Sequence, residues 1–90
     1  MEQPDRVPKT LRLEVLSLGT GGLTLEGITS LQIKLADGSW LGIRPGHAPI
    51  IAATDDGELK YRQGHEEHTV PVRSGIMTLT DNMISILTTH

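Results

Sequence analysis

The sequence predicts an all-β fold, a flattened antiparallel sandwich or barrel of about 8–10 short strands. Three observations lead there. Apolar residues recur at period two in short runs, the spacing of a strand with one buried face. Glycine, proline and Asp-Gly turns interrupt those runs at short intervals. No apolar stripe at i, i+3, i+4, i+7 persists for three helical turns.

Residues 1–9 are polar, hold two prolines and mixed charge, and read as a flexible lead into one domain over residues 10–88. In the first strand Leu11, Leu13 and Val15 alternate with Arg12 and Glu14. Gly19, Gly21 and Gly22 break the chain, Leu23-Thr24-Leu25 forms a short run, and Gly27 breaks it again before Leu31, Ile33 and Leu35 resume the alternation. Asp37-Gly38 is a hairpin signal. The return strand, residues 40–44, puts Leu41 and Ile43 on one face and Trp40, Gly42 and Arg44 on the other. Residues 50–53 make the next strand, Asp55-Asp56-Gly57 turns the chain, and Leu59 and Tyr61 alternate against Glu58, Lys60 and Arg62. Gln63-Gly64 turns it once more, Val70 and Val72 follow, and after Ser74-Gly75 two closing runs, 76–80 and 83–88, are joined by Asp81-Asn82.

Composition narrows the function. A chain of 90 residues supports one small domain of modest stability. With no cysteine it has no disulfide, thiolate metal site or cysteine nucleophile, and with no Phe, one Trp and one Tyr its core is aliphatic. Eight basic against eleven acidic residues give a net charge of -3, which lacks the positive footprint of a nucleic-acid or anionic-membrane binder. No apolar run approaches the length of a membrane span or a signal h-region, so a cytoplasmic protein without direct membrane insertion is expected.

The most distinctive stretch is Leu41-Gly42-Ile43-Arg44-Pro45-Gly46-His47-Ala48-Pro49. Pro45 fixes φ, Gly46 admits a positive φ, and Pro49 holds Ala48 extended, which together make a rigid corner after an apolar strand. Such a corner by itself only links two strands. Its wording, Gly-x-x-Pro-Gly-His-Ala-Pro, nonetheless resembles the signature of the epsilon subunit of F-type ATP synthase, called delta in mitochondria. The resemblance extends from the strand at Leu11, through residues 28–35 entering the motif, to a closing hairpin from Ser74-Gly75-Ile76 to Leu87, and so covers about residues 10–88. Two departures are visible: Arg73-Ser74-Gly75 replaces the more usual Ser-Gly-Gly, and Trp40 stands where the family commonly has an acidic residue.

What the resemblance implies is a non-catalytic central-stalk subunit that binds gamma and helps couple it to the c-ring, peripheral to the membrane through the complex. It would place His47, Ala48, Ile50 and Ile51 against gamma, and Asp37, Ser39 and Trp40 toward the c-ring, with Gly42, Pro45, Gly46 and Pro49 as the structural corner. The family normally continues into a C-terminal helical hairpin associated with restraint of ATP hydrolysis and, in some members, with ATP binding. This sequence stops at Thr88-Thr89-His90, so it resembles the N-terminal β domain alone, a naturally short subunit or a trimmed one, and neither property is expected of it. A free-standing β-sandwich module that binds a peptide or small ligand is the competing class, and would account equally for a lack of catalytic groups.

Other candidate chemistry is weaker. His65-Glu66-Glu67-His68 lacks the i, i+4 spacing of a metalloprotease helix and reads as a solvated hairpin tip, so no metal is expected. Gly19-Thr20-Gly21-Gly22 is followed by no Lys-Ser or Lys-Thr and opens no helix, so no nucleotide cofactor is expected either. Ser39 and Ser74 have no His/Asp arrangement, and no residue is fixed beside His47 to make it a base. Trp40 faces away from the core side of its strand and is either a contact anchor or packed against a neighbouring segment.

Overall fold

The computed structural model describes residues 9–17 and 22–88. The strands are β1 (Leu11–Ser17), β2 (Leu23–Ile28), β3 (Ser30–Lys34), β4 (Trp40–Ile43), β5 (Ile50–Thr54), β6 (Gly57–Gln63), β7 (Glu66–Val72), β8 (Gly75–Thr80) and β9 (Met83–Thr88). They form a five-stranded sheet in the order β2-β1-β9-β8-β5 and a four-stranded sheet in the order β4-β3-β6-β7, the sandwich that the alternation predicts. Except for Lys9, the lead over residues 1–9 lies outside the described residues, as do Gly19, Thr20 and Gly21.

Period-two alternation fills the space between the sheets. Leu13, Ile28, Leu59, Met77, Ile84 and Ile86 are fully enclosed, and Leu11, Leu31, Ile33, Ile43 and Leu79 nearly so. Tyr61 is the aromatic residue of this core and stacks on the half-buried His68, ring centroids 5.2 Å apart. Among the described residues no buried side-chain nitrogen or oxygen lacks a hydrogen-bond partner.

Most ladders are antiparallel, but β1 runs parallel to β9, from Arg12 opposite Met83 to Ser17 opposite Thr88. The first strand is therefore central in its sheet, held on one side by β2 and on the other by the last strand.

The chain crosses between sheets at four places, and local chemistry explains each. Gly27, expected to break the chain, instead sits at φ +73° in a bulge where β2 gains one residue on β1 between the pairs Leu11↔Ile28 and Leu13↔Leu25. A glycine bends the strand there without ending its pairing. Thr29 then donates its N–H to the Arg62 carbonyl (2.8 Å) as the chain enters the four-stranded sheet. The run read as continuous from Ile28 to Leu35 is thus two strands with a kink at Thr29.

The crossing from β4 to β5 is the proline-bounded corner. From β5 to β6 the chain bends at Asp55 and Asp56, where Asp55 N–H reaches the Lys34 carbonyl (3.1 Å) and Ala36 N–H the Ala53 carbonyl (3.0 Å), joining the two sheets along that edge. From β7 to β8 it passes Arg73 and Ser74, and Ser74 N–H donates to the Asp56 carboxylate at 2.7 Å, which ties these two crossings together. Beside them the buried Thr54 hydroxyl accepts from Gly75 N–H (3.1 Å) and donates to the Gly75 carbonyl (3.2 Å).

Candidate functional site

The corner is a β-turn over residues 44–47. Pro45 occupies the position that wants φ near that of proline, Gly46 follows at φ +90°, and His47 N–H returns to the Arg44 carbonyl at 3.1 Å, a type II arrangement. One side chain from elsewhere secures it: Gly46 N–H donates to Asn82 Oδ1 at 2.7 Å. Asn82 belongs to the β8–β9 turn, where Asp81 and Asn82 both have positive φ (50° and 63°), the backbone of a type I′ hairpin. Its carbonyl accepts Arg12 N–H at 2.9 Å. Asn82 thereby joins the corner, the closing hairpin and the start of β1.

His47 is half-buried and turned onto its own backbone. The Ala48 carbonyl can only accept, so Nδ1, 2.8 Å away, carries the proton in the neutral ring. The ring is oriented by a peptide group rather than by a carboxylate, an arrangement suited to presenting a surface. Of the other residues expected at the gamma side, Ala48 is exposed, Ile50 packs against the core, and Ile51 points outward with 79% of its surface exposed. Ile50 and Ile51 therefore lie on opposite faces of β5, as strand parity requires.

At the far end of β4 lies the second expected set. Asp37 accepts hydrogen bonds from the Ser39 hydroxyl (2.6 Å) and the Ser39 N–H (2.9 Å), and these hold its carboxyl below the ordinary carboxylate value. Gly38 at φ +91° completes the turn, and Leu35 N–H donates to the Ser39 carbonyl at 2.8 Å. Trp40 is half exposed, with the Lys60 ammonium 5.8 Å from its ring centroid. Residues 37–40 and the corner at 45–49 flank β4, so they are two sites about one short strand apart. Gly42 lies between them within β4; its φ is not positive, and a side chain there would meet nothing within 4 Å.

The feature that sequence reading missed is the outer face of the five-stranded sheet. Leu16, Ile76 and Leu87 are each about half exposed, and the register aligns them: Ala53 pairs with Ile76, Ile76 with Leu87, and Leu87 with Leu16. A single apolar row thus crosses β5, β8, β9 and β1, with Ile51 one step along from it opposite Thr78. Its signal was present as apolar residues out of phase with the core set, Leu16 next to Val15 and Leu87 next to Ile86. The outer face of the four-stranded sheet is polar by contrast apart from Trp40, with Gln32, Lys60 and Thr69 in one row and Ser30, Arg62 and Glu67 in the next.

Among the described residues no group of three or more His, Cys, Asp or Glu side chains is placed to hold a metal ion. His68 instead lies 3.2 Å from Glu66 across one residue of β7. No helix among them is long and apolar enough to cross a membrane.

Comparison with known proteins fits this architecture. Residues 10–90 match the family described as ATP synthase, Delta/Epsilon chain, beta-sandwich domain. The chain is 32% identical over 81 residues to an ATP synthase epsilon chain of Solibacter usitatus, covering 90% of this chain and 59% of that one. It is 38% identical over 63 residues to the ATP synthase epsilon chain of Leptospira interrogans, covering 70% and 49% respectively. It therefore spans between 49% and 59% of the length of these relatives. The fold is similar, at TM-score 0.70 and 14% identity, to a chain in the cryo-EM structure of the central stalk and c-ring of the Tetrahymena thermophila mitochondrial ATP synthase, over 92% of this chain and 66% of that one. By its corner motif, its two-sheet topology and the match across nearly all of its length, the chain belongs to the ATP synthase delta/epsilon family, of which it carries the β-sandwich domain.

Proposed function

We propose that this chain is a non-catalytic component of the central stalk of an F-type ATP synthase, peripheral to the membrane on the cytoplasmic side, which grips the gamma subunit through the outer face of its five-stranded sheet. The turn at Asp37, Ser39 and Trp40 is directed toward the c-ring in this reading. The observation that carries the proposal is the aligned apolar row of Leu16, Leu87 and Ile76, extended by Ile51. A domain of this size that leaves several large aliphatic side chains contiguous on one sheet face has a surface suited to a protein partner. The rigid corner, fixed by Pro45, Gly46 and Asn82, lies at the other end of this sheet, by the β8–β9 turn, and keeps His47 and Ala48 in a set position beyond Ile51.

Co-expression with gamma tests this. Ile76→Asp and Leu87→Asp place charge in the centre of the row and should weaken capture of gamma at least tenfold, while the melting temperature stays within a few degrees because both positions face solvent. Ile33→Ala, in the enclosed core, should instead cost about 2–5 kcal/mol of stability. Undiminished capture of gamma by both aspartate variants would refute the assignment of this face; no capture by the unmodified chain would favour a free-standing binding module.

A further inference from the structure

We propose that the open side of β4, at Gly42 and Arg44, is a docking site for an extended acidic segment of a partner polypeptide. This goes beyond the stalk assignment and rests on the open edge of the other sheet, away from the apolar row that carries that assignment, so the two are tested separately.

The first ground is the edge itself. Sheet edges are usually blunted, and other edges here are. β7 carries Pro71, β5 is capped by the Ala36 N–H on the Ala53 carbonyl, and β2 by the Gln63 side-chain amide on the Glu26 carbonyl at 2.7 Å. Among the described residues no group hydrogen-bonds to the open side of β4. Its donors face that way: since Leu35 bonds Ser39, the alternation of an antiparallel ladder assigns Leu41 and Ile43 to the bonds with β3 and turns the N–H and C=O of Gly42 outward.

Gly42 is the second ground. Glycine within a strand lowers stability, and here neither backbone conformation nor crowding calls for it. A bare strand position that the fold does not require suits the close approach of another backbone.

The third ground is charge. A groove of about 820 Å³ crosses the outer face of this sheet from Gly42 and Arg44 at its edge, over Ser30 and Gln32 on β3, to Arg62 on β6, and no carboxylate belongs to its lining. This is notable in a chain of net charge -3. Arg44 makes no ion pair among the described residues, and Arg62 has only an exposed contact with Glu67 at 3.7 Å. Arg44 stands at the end of the open side, where a carboxylate of an added strand would meet it, and Arg62, two strands inward on β6, extends the positive groove across the sheet face.

The experiment is an NMR titration of the isotope-labelled chain with a blocked peptide of alternating glutamate and valine. The comparators are a threonine–valine peptide, inorganic phosphate, and vesicles containing phosphatidylglycerol. Shifts should concentrate on residues 42–44, with the acidic peptide binding at least tenfold more tightly than the neutral one, and Arg44→Glu should remove most of that difference. Gly42→Val should raise the melting temperature by roughly 2–6 °C, since a β-former replaces a strand glycine in open space, yet weaken the acidic peptide at least tenfold. The proposal is overturned if the neutral peptide binds as well, if the shifts centre elsewhere, if phosphate or vesicles are preferred, or if Gly42→Val lowers the melting temperature.

Discussion

Asn82 shows how much one side chain can settle. Its left-handed backbone makes the hairpin turn, and its amide oxygen fixes a corner 36 positions away in sequence. The two roles separate by substitution. Asn82→Gly keeps the turn but loses the acceptor, and should cost about 1 kcal/mol and speed amide exchange at Gly46. Asn82→Asp keeps both a tolerated positive φ and an acceptor, and should leave that amide protected. Equal protection of Gly46 in all three proteins would mean that the side chain does not hold the corner. Pro45 and Gly46 could be read from the sequence because their constraints are intrinsic to the residue. Asn82 could not, because its partner is set by the tertiary fold. Asp37 offers a second test at this scale. Ser39→Ala should let its carboxyl titrate nearer the ordinary 3.8, as followed by carbon NMR of the side chain, because the hydroxyl is the larger of the causes that lower it. The sign follows: with a folded value below the unfolded one, the turn's contribution is present above the unfolded value and is lost as pH falls through the folded one.

Among elements, alternation made the inward faces of β1, β3 and β6 legible, since Leu11, Leu13, Ile33 and Leu59 occupy the expected phase, whereas β8 and β9 were legible only as runs. What alternation does not show is which out-of-phase apolar residues become neighbours. Leu16, Ile76 and Leu87 align only because β1, β9 and β8 lie side by side, an order that no local pattern encodes. Ser74-Gly75 was read as a break between strands, whereas Gly75 opens β8 and pairs with Thr88. A side chain on it would run into the Leu87 backbone carbonyl. Gly75→Ala should therefore destabilise the domain by about 1–3 kcal/mol, the range for overpacking, and denaturant unfolding would measure it. A loss near zero would mean that β9 shifts freely, contrary to the close pairing along the hairpin.

For the whole molecule, the sequence made the class of fold and its motif readable, but not the assignment of strands to sheets. The chain changes sheet at four crossings whose partners are distant: Thr29 meets Arg62, Gly46 meets Asn82, Asp55 meets Lys34, and Ser74 meets Asp56. With both sheets sharing one core, unfolding should be a single cooperative transition, and Ile33→Ala should lower its midpoint without splitting it. A biphasic curve would show that the sheets melt separately. The parallel pairing of β1 with β9 bears on how the protein comes into being. A ribosome releases β1 before the other strands of this domain, but the neighbour that completes its central place, β9, emerges after all of them. The five-stranded sheet must therefore wait for nearly the whole domain to emerge, and as a fold dominated by non-local pairing it should close in milliseconds to seconds rather than microseconds. Until then Leu11, Leu13 and Val15 have no final neighbour on one side, so nascent chains arrested before β9 should be cut readily by protease and those extending past it should abruptly resist.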